Sequence, residues 1–405
     1  MGTDLVTSPS IKQHILVVAI CMIICWNYWI PTFLYSSPAM FYGSGSADFN
    51  IFYVAGSSWL GHNNPYLNTY PSQFVYPPTS LPFYGLFALF DPDSAGLLWM
   101  ATYFAVFAAA FLALAFTLRR EVRSLYLWIL PLLFFTSFPL LVLMELGQSD
   151  LLVASLSVLG LVSMKLNRRY LSALLLSLAV LMKVTPAVLL IYFVLYRRDM
   201  KYLASFLLST LGIVGVSLLV VPVQWYWYYI VKVAPTLSEV SSQAMNQSVV
   251  RYASLAGMSK ISPVISILGF GLLAVFALFV NSKRIRRFGI SGILLDDAMF
   301  LMNVLVMLLL GPRSWPATYV WVLLPVALFL SGLIGENVRA RFLALVGVAV
   351  ILLNMTLVQL FLVSRSEIME LPLAMIGNLI LTLSLVLLYL HPNAALEQPA
   401  RPVSA

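Results

Sequence analysis

Charge is what this sequence has least of: Asp, Glu, Lys and Arg make up 9% of its 405 residues, against 61% hydrophobic. A soluble domain runs near a quarter charged because its surface must meet water. A chain this poor in charge needs the bilayer as its solvent, which excludes a soluble reading. Cysteine is equally scarce. Cys21 and Cys25, one helical turn apart in the first apolar run, provide no disulfide framework and too few ligands for a metal site, so they read as membrane-facing packing. There is also no Walker loop, no dinucleotide fingerprint and no His-rich metal cluster. No convincing small-residue cleavage site follows the apolar stretch Ile15 to Leu34, which is therefore expected to be a retained span rather than a removed signal peptide.

Long, continuous apolar runs fill the space these absences leave. Closed barrels read as short alternating segments, so helices are expected, with room for roughly a dozen spans of about 20 residues. The candidate stretches are 15–34, 95–118, 125–144, 151–166, 170–182, 184–196, 202–222, 263–281, 294–310, 317–334, 342–363 and 371–390. The fold class is an all-α polytopic membrane protein of about 12 spans, a single transmembrane domain over residues 1–405.

The basic residues set the orientation. Arg119, Arg120, Arg123, Arg168, Arg169, Arg197, Arg198, Lys201, Lys283, Arg284, Arg286, Arg287, Arg339 and Arg341 fall on one side under this count. With Lys12, Lys165 and Arg401 they make 17 of the 23 Lys and Arg, and that side is expected to be cytoplasmic. The net charge of +8 is thus a topology signal and not a nucleic-acid patch. Two features are needed to keep this parity. The stretch Pro77–Phe90 must lie on or dip into the outer leaflet without crossing, and Tyr170–Tyr196 must be a tight hairpin of two short helices. Such broken helices are tolerated where protein buries them or they line a cavity. A first outer loop, 31–94, is expected to carry re-entrant or interfacial helices. A second, 223–262, opens on the aromatic run Gln224 to Tyr229, which marks a membrane interface or lines a lipid or sugar groove. The tail 391–405 is expected to be cytoplasmic and disordered.

Strongly polar residues near membrane depth are costly and tend to be functional. Here they gather on the outer face: Asp48, the turn Glu145 to Asp150 with Gln148 in it, Lys183 at the hairpin tip, Arg251 after Asn246-Gln247-Ser248, and Arg313. Lys183 lies between apolar stretches, cannot easily snorkel to the cytoplasm, and calls for a buried anionic partner. His62, in Gly61-His62-Asn63-Asn64, has the ordinary reading of a loop histidine. A loop carboxylate can take a proton from a hydroxyl nucleophile, and nearby lysine and arginine can hold a phosphate as its charge grows on leaving. Sugar transfer from a lipid phosphate fits this set. These residues alone also fit a transporter or flippase of lipid-linked sugars or anions.

A family pattern runs through the same residues. Asp48-Phe49-x-x-Phe52-Tyr53, Gly61-x-x-x-Pro65-Tyr66 and Phe74-x-Tyr76-Pro77-Pro78 resemble the first outer loop of the polyprenol-phosphate-mannose-dependent mannosyltransferases of glycosyltransferase family 87. The pattern continues in Gly147-Gln148-Ser149-Asp150, in Lys183-Val184-Thr185-Pro186 with Arg197-Arg198, and in Asn246-Gln247-Ser248. It covers most of residues 45–320. The resemblance implies a C-type glycosyltransferase fold in the plasma membrane, with its active site on the extracytoplasmic face. It further implies a polyprenyl-phosphate sugar donor, mannose first, and a glycolipid or glycan acceptor. Asp48 would be the catalytic base, Lys183, Arg251 and Arg313 would hold the donor phosphate, and Tyr76, Gln148, Asn246 and His62 would bind substrate. An inverting single displacement with a monophosphate leaving group requires no cofactor and no obligatory metal. Two departures stand out. Phe49 follows Asp48 where related enzymes often carry a second acid, and Ala317 and Thr318 stand where family members have histidines.

Overall fold

The computed structural model describes residues 47–67, 73–241, 245–280, 292–334, 336, 338–355 and 371–395. The expected first span with Cys21 and Cys25, the basic cluster Lys283 to Arg287, Lys12, Arg365 and Arg401 lie outside the described residues. Within them every long element is a helix. Each expected apolar stretch that falls there coincides with a helix or helix pair.

The first outer loop carries helix α1 (Ala47–Leu60) and helix α2 (Leu81–Phe87). At 1.5 Å per residue these are about 21 and 10 Å long, too short to cross a hydrocarbon core of about 30 Å. They cross at close range because two glycines permit it. A Cβ on Gly56 would meet the Tyr84 carbonyl oxygen at 2.6 Å, and one on Gly85 would meet the Trp59 ring at 2.5 Å. The Phe52 and Tyr84 rings stack at 4.7 Å, with Trp99 and Tyr76 packed around them.

Helix α3 (Pro92–Thr117) starts where Asp91 accepts a hydrogen bond from the Ser94 N–H and Pro92 fills the first helical position. Helices α4 (Arg120–Phe135) and α5 (Phe138–Leu146) form one bent pair at 58°. Its break is fully bonded: Ser137 caps α5 through the Leu140 N–H. Asn354 donates to the Leu133 carbonyl at 3.0 Å and to the Thr136 hydroxyl at 3.1 Å. A broken helix is stable in a membrane protein only when its freed backbone groups are met in this way.

Helix α6 (Asp150–Lys165) is followed by α7 (Arg169–Met182), then by a 3-10 turn (Thr185–Leu189) and a π-helical segment (Ile191–Tyr196). The hairpin expected over Tyr170–Tyr196 is there, but its second limb is not a regular α-helix. Lys183 is extended at φ −151° and ψ 123°, and Pro186 removes an N–H from the turn that follows. After helix α8 (Met200–Ser217) come the short α9 (Val223–Tyr228) and α10 (Val249–Ala253), then α11 (Ser262–Phe279) and α12 (Gly292–Leu310). A 3-10 segment (Pro316–Val322) leads into α13 (Leu323–Ile334), with α14 (Ala340–Leu353) and α15 (Leu373–Leu390) closing the bundle. Beyond His391 the tail begins with a helical turn, Pro392–Ala395, rather than the expected irregular chain. The Ala395 carbonyl accepts the Arg339 N–H at 2.9 Å and so ties that turn down.

Among the described residues six helices are long and apolar enough to cross a membrane, seven with the bent pair, while α7, Thr185–Tyr196 and α14 are shorter. The stretch Pro316–Ile334 and α12 are buried along most of their length, whereas α3, α8 and α11 expose most of theirs, as lipid-facing helices do. This is an integral membrane protein, helical in its described residues, with α12 and α13 at its centre.

Candidate active site

The site is organised by the end of α5. Gly147 sits at φ 66° and ψ 33°, the left-handed region that favours glycine. Its N–H reaches the Met144 carbonyl at 3.3 Å and the Gln148 N–H reaches that of Leu143 at 3.2 Å, the paired bonds of a Schellman stop. The Trp99 indole N–H then donates to the Gly147 carbonyl at 2.8 Å and fixes the turn against α3. With the backbone locked, Gln148, Ser149 and Asp150 leave it in set directions.

Gln148 donates its side-chain N–H to Oδ2 of Asp48, 100 residues earlier in the chain. Asp48 is the second residue of α1, where the helix dipole favours negative charge. The bond leaves Asp48 Oδ1 without a partner among the described residues. Burial raises the Asp48 carboxyl above its ordinary value; the Gln148 bond and the Lys183 charge oppose that rise, and the Asp150 charge adds to it. The Tyr76 and Tyr84 phenols lie beside the Ser149 hydroxyl; Tyr76 borders both Asp48 and Asp150, Tyr84 only Asp150.

Lys183 has the buried anionic partner its sequence context requires, and it is Asp150. The ammonium lies 2.8 and 2.7 Å from the two carboxylate oxygens, and the Trp321 indole N–H donates to Oδ1 at 2.8 Å. Asp150 is 1% exposed and Lys183 19%. Asp150 also occupies the first turn of α6, so a charge-assisted pair, an indole and a helix terminus together offset its desolvation.

A second group assembles from the second outer segment and the loop after α12. Asn246, fully buried, donates to the Ser241 carbonyl at 2.9 Å and the Pro312 carbonyl at 2.8 Å. Its side-chain oxygen accepts the Ser248 N–H at 3.2 Å and the Ser314 N–H at 3.0 Å. Arg251, on α10 and 8% exposed, donates to the Asn246 carbonyl at 3.3 Å and lies 4.9 Å from the Tyr252 ring centre. Its Nε has no partner, and no carboxylate among the described residues pairs with it. Arg313, half-buried, donates to the Thr236 carbonyl at 3.0 Å. The 3-10 segment Pro316–Val322 joins the two groups. Tyr319 donates to the Gln247 carbonyl at 3.2 Å, and Trp321 reaches Asp150.

Asp48, Gln148, Lys183 and Tyr76 thus converge, and Asn246, Arg251 and Arg313 form a neighbouring cluster linked through one segment. His62 stands apart. It lies exposed just beyond the other end of α1, at φ 57°, about 20 Å along the helix from Asp48. Ala317 and Thr318 are buried within the linking segment.

The model of glycosyltransferase family 87 matches residues 74–312, more than half of the sequence and every element just described from Phe74 to Pro312. This chain belongs to glycosyltransferase family 87. It is therefore a membrane glycosyltransferase, and Asp48 lies ahead of the matched region. No curated protein matches the chain. Sequence reasoning did not single out Asp150 as the partner of Lys183, nor Trp321 or Trp99. A lysine embedded in an apolar stretch points to a carboxylate on its own face, but Asp48, Glu145 and Asp150 all meet that description.

Proposed function

We propose that this family 87 enzyme moves mannose from a polyprenyl-phosphate donor to a hydroxyl of an outward-facing glycolipid or glycan at the plasma membrane, by inverting single displacement. What carries this reading is the Asp48 carboxylate, held by Gln148 through one oxygen and, among the described residues, open at the other. The acceptor hydroxyl gives its proton to Asp48 Oδ1 while its oxygen bonds to the anomeric carbon. The bond from that carbon to the phosphate oxygen breaks, and its electron pair leaves with the polyprenyl phosphate.

The leaving phosphate needs positive charge that the protein has not already neutralised. Arg251 meets that need best, because its guanidinium is buried with a carbonyl and a ring as its partners among the described residues. Arg313 and Lys183 add positive charge at the margins, Lys183 with most of its own met by Asp150. Tyr76 and Gln148 border the acceptor, and Asn246 holds the Arg251 cradle together. The exposed aromatic rim around Trp227 suits a lipid carrier.

The test is transfer of radiolabelled mannose from polyprenyl-phosphate mannose into membrane lipids by wild type and Asp48→Asn. Removing a general base costs about 100- to 10,000-fold, and the variant is expected to keep its fold and its donor affinity. Normal turnover by Asp48→Asn removes Asp48 as the base. No transfer by either form, in membranes that hold folded protein and native lipids, removes mannose and redirects the search to other donor sugars.

A further inference from the structure

The base and the half-buried Lys183 pose a problem that their geometry resolves. An ammonium beside two carboxylates binds whichever offers the better site. A Lys183 seated on Asp48 would occupy the oxygen that has to receive the acceptor proton. The structure places Lys183 on Asp150 instead, through both oxygens, at 2.7 and 2.8 Å. Asp150 is the better seat for three reasons. It is anchored by the Trp321 indole at 2.8 Å, it sits in the first turn of α6, and it leaves the same locked turn as Gln148, which takes up Oδ2 of Asp48.

We propose that Asp150 is a positioning residue of the transfer reaction: by binding Lys183 bidentately it keeps the ammonium off Asp48 and leaves that carboxylate free to act as the base. This rests on the assignment of Asp48 as base made above. Trp321 belongs to the same device, since it fixes the Asp150 oxygens toward the hairpin tip. The charged or titratable groups around Asp48 are Lys183 from the hairpin, Asp150 from the start of α6, and the phenol of Tyr76 from the first outer loop, with the Tyr84 phenol beside Asp150. The phenols are held well above neutrality by burial and stay uncharged. Glu145 on α5 and Asp93 on α3 are unchanged in every variant below, so they contribute equally throughout.

The test is the pH profile of kcat/KM for mannosyl transfer in wild type, Asp150→Asn, Lys183→Met and the double variant, reading the position of the acid limb. In Asp150→Asn the lysine keeps its charge and turns to Asp48. The limb moves to lower pH by about one unit, as an opposite charge at short range dictates, and the plateau falls. In Lys183→Met the Asp150 charge is left facing Asp48 and the limb moves up. In the double variant both charges are gone and the limb returns to within a few tenths of wild type, whatever the plateau. Loss of either charge alone displaces the limbs in these same directions at an unchanged plateau. The fall of the Asp150→Asn plateau is therefore what marks a lysine seated on Asp48, and a wild-type plateau in that variant overturns the proposal. Limbs that coincide in all four proteins, or that move the same way in both single variants, overturn the proposal. If Asp150→Asn does not fold, a Lys183→Met limb that stays in place or moves down overturns the proposal by itself. Asp48→Asn separates the two failures. If that variant is inactive while the limbs coincide, the base assignment stands and only the role of Asp150 falls.

Discussion

Replacing Asn246 with aspartate changes one atom group and almost no volume, so it probes the four hydrogen bonds of that side chain directly. The amide NH2 serves the Ser241 and Pro312 carbonyls, and the amide oxygen serves the Ser248 and Ser314 N–H groups. Aspartate keeps both acceptor bonds and loses both donor bonds. It also points a carboxylate oxygen at two part-buried carbonyl oxygens. The Pro312 carbonyl keeps the Ser241 N–H at 3.2 Å. The loss is therefore that of two hydrogen bonds at about 0.5–1.5 kcal/mol each, about 1–3 kcal/mol together before repulsion is added. The clamp ties the segment carrying Arg251 to the loop carrying Arg313, and the Asn246 carbonyl is itself the acceptor for Arg251. Asn246→Asp should therefore lower the thermal unfolding midpoint in detergent and raise the KM for the polyprenyl-phosphate donor together. Asn246→Ala, which loses all four bonds, should do the same. A protein with the wild-type midpoint and a raised KM would mean that Asn246 touches substrate directly and is no clamp. Wild-type values of both would refute the reasoning altogether.

The remaining predictions concern Asp48 and Arg251. Burial, the largest influence on Asp48, raises its carboxyl, and a base acts only when ionised. Transfer should therefore climb with pH through that raised value, and a kcat/KM already flat from about pH 4 upward refutes it. Stability runs the other way. A carboxyl raised in the folded state lends stability that is complete below its unfolded value and is lost as pH rises through the folded one, a slope that Asp48→Asn should flatten in unfolding midpoints measured against pH. Arg251→Gln should raise the donor KM by about tenfold or more, since hydrogen bonds to charged groups contribute about 1.5–3 kcal/mol. The same variant should leave the unfolding midpoint at or above wild type, because it removes a buried charge that has no counter-ion; an unchanged KM would take the phosphate away from Arg251.

How much of this was legible in the sequence depended on whether the physics involved was local. The apolar stretches are one-dimensional signals, and among the described residues helices stand where they were expected, six or seven of them long enough to span. The unlikely position of Lys183 is local too, because an ammonium between apolar runs is costly wherever the chain goes. Its partner was not legible. Asp150 is 33 residues away and competes with Glu145 and Asp48, and only the Schellman stop at Gly147 decides which carboxylate faces the hairpin tip. Asn246 stood out within a family motif, yet its work is done on residues 66 to 68 positions later. The second limb of the hairpin was legible as apolar but not as π-helical, since hydropathy carries no record of hydrogen-bond spacing. His62 shared a family motif with the first outer loop, but the length of α1 carries it away from Asp48.

The distribution of charge ties these observations together. Among the described residues, acids and bases that meet do so across helices: Lys165 with Asp297, Arg169 with Asp199, Lys183 with Asp150 and Arg197 with Asp296. Asp48 and Arg251 depart from that habit. One has a neutral amide for a partner, the other a carbonyl and a phenol ring. An uncompensated charge taken from water costs several kcal/mol. Arg123 and Arg313 also donate to carbonyls, but Arg251 is the most buried of the three, and it and Asp48 are the groups that a substrate would complete. The two complements differ. Asp48 lacks a proton donor, which an acceptor hydroxyl supplies. Arg251 lacks an anion, which a donor phosphate supplies. A protein that only carried lipid-linked sugars across the bilayer would need the second complement but not the first, and the open oxygen of Asp48 is what weighs the assignment toward transfer.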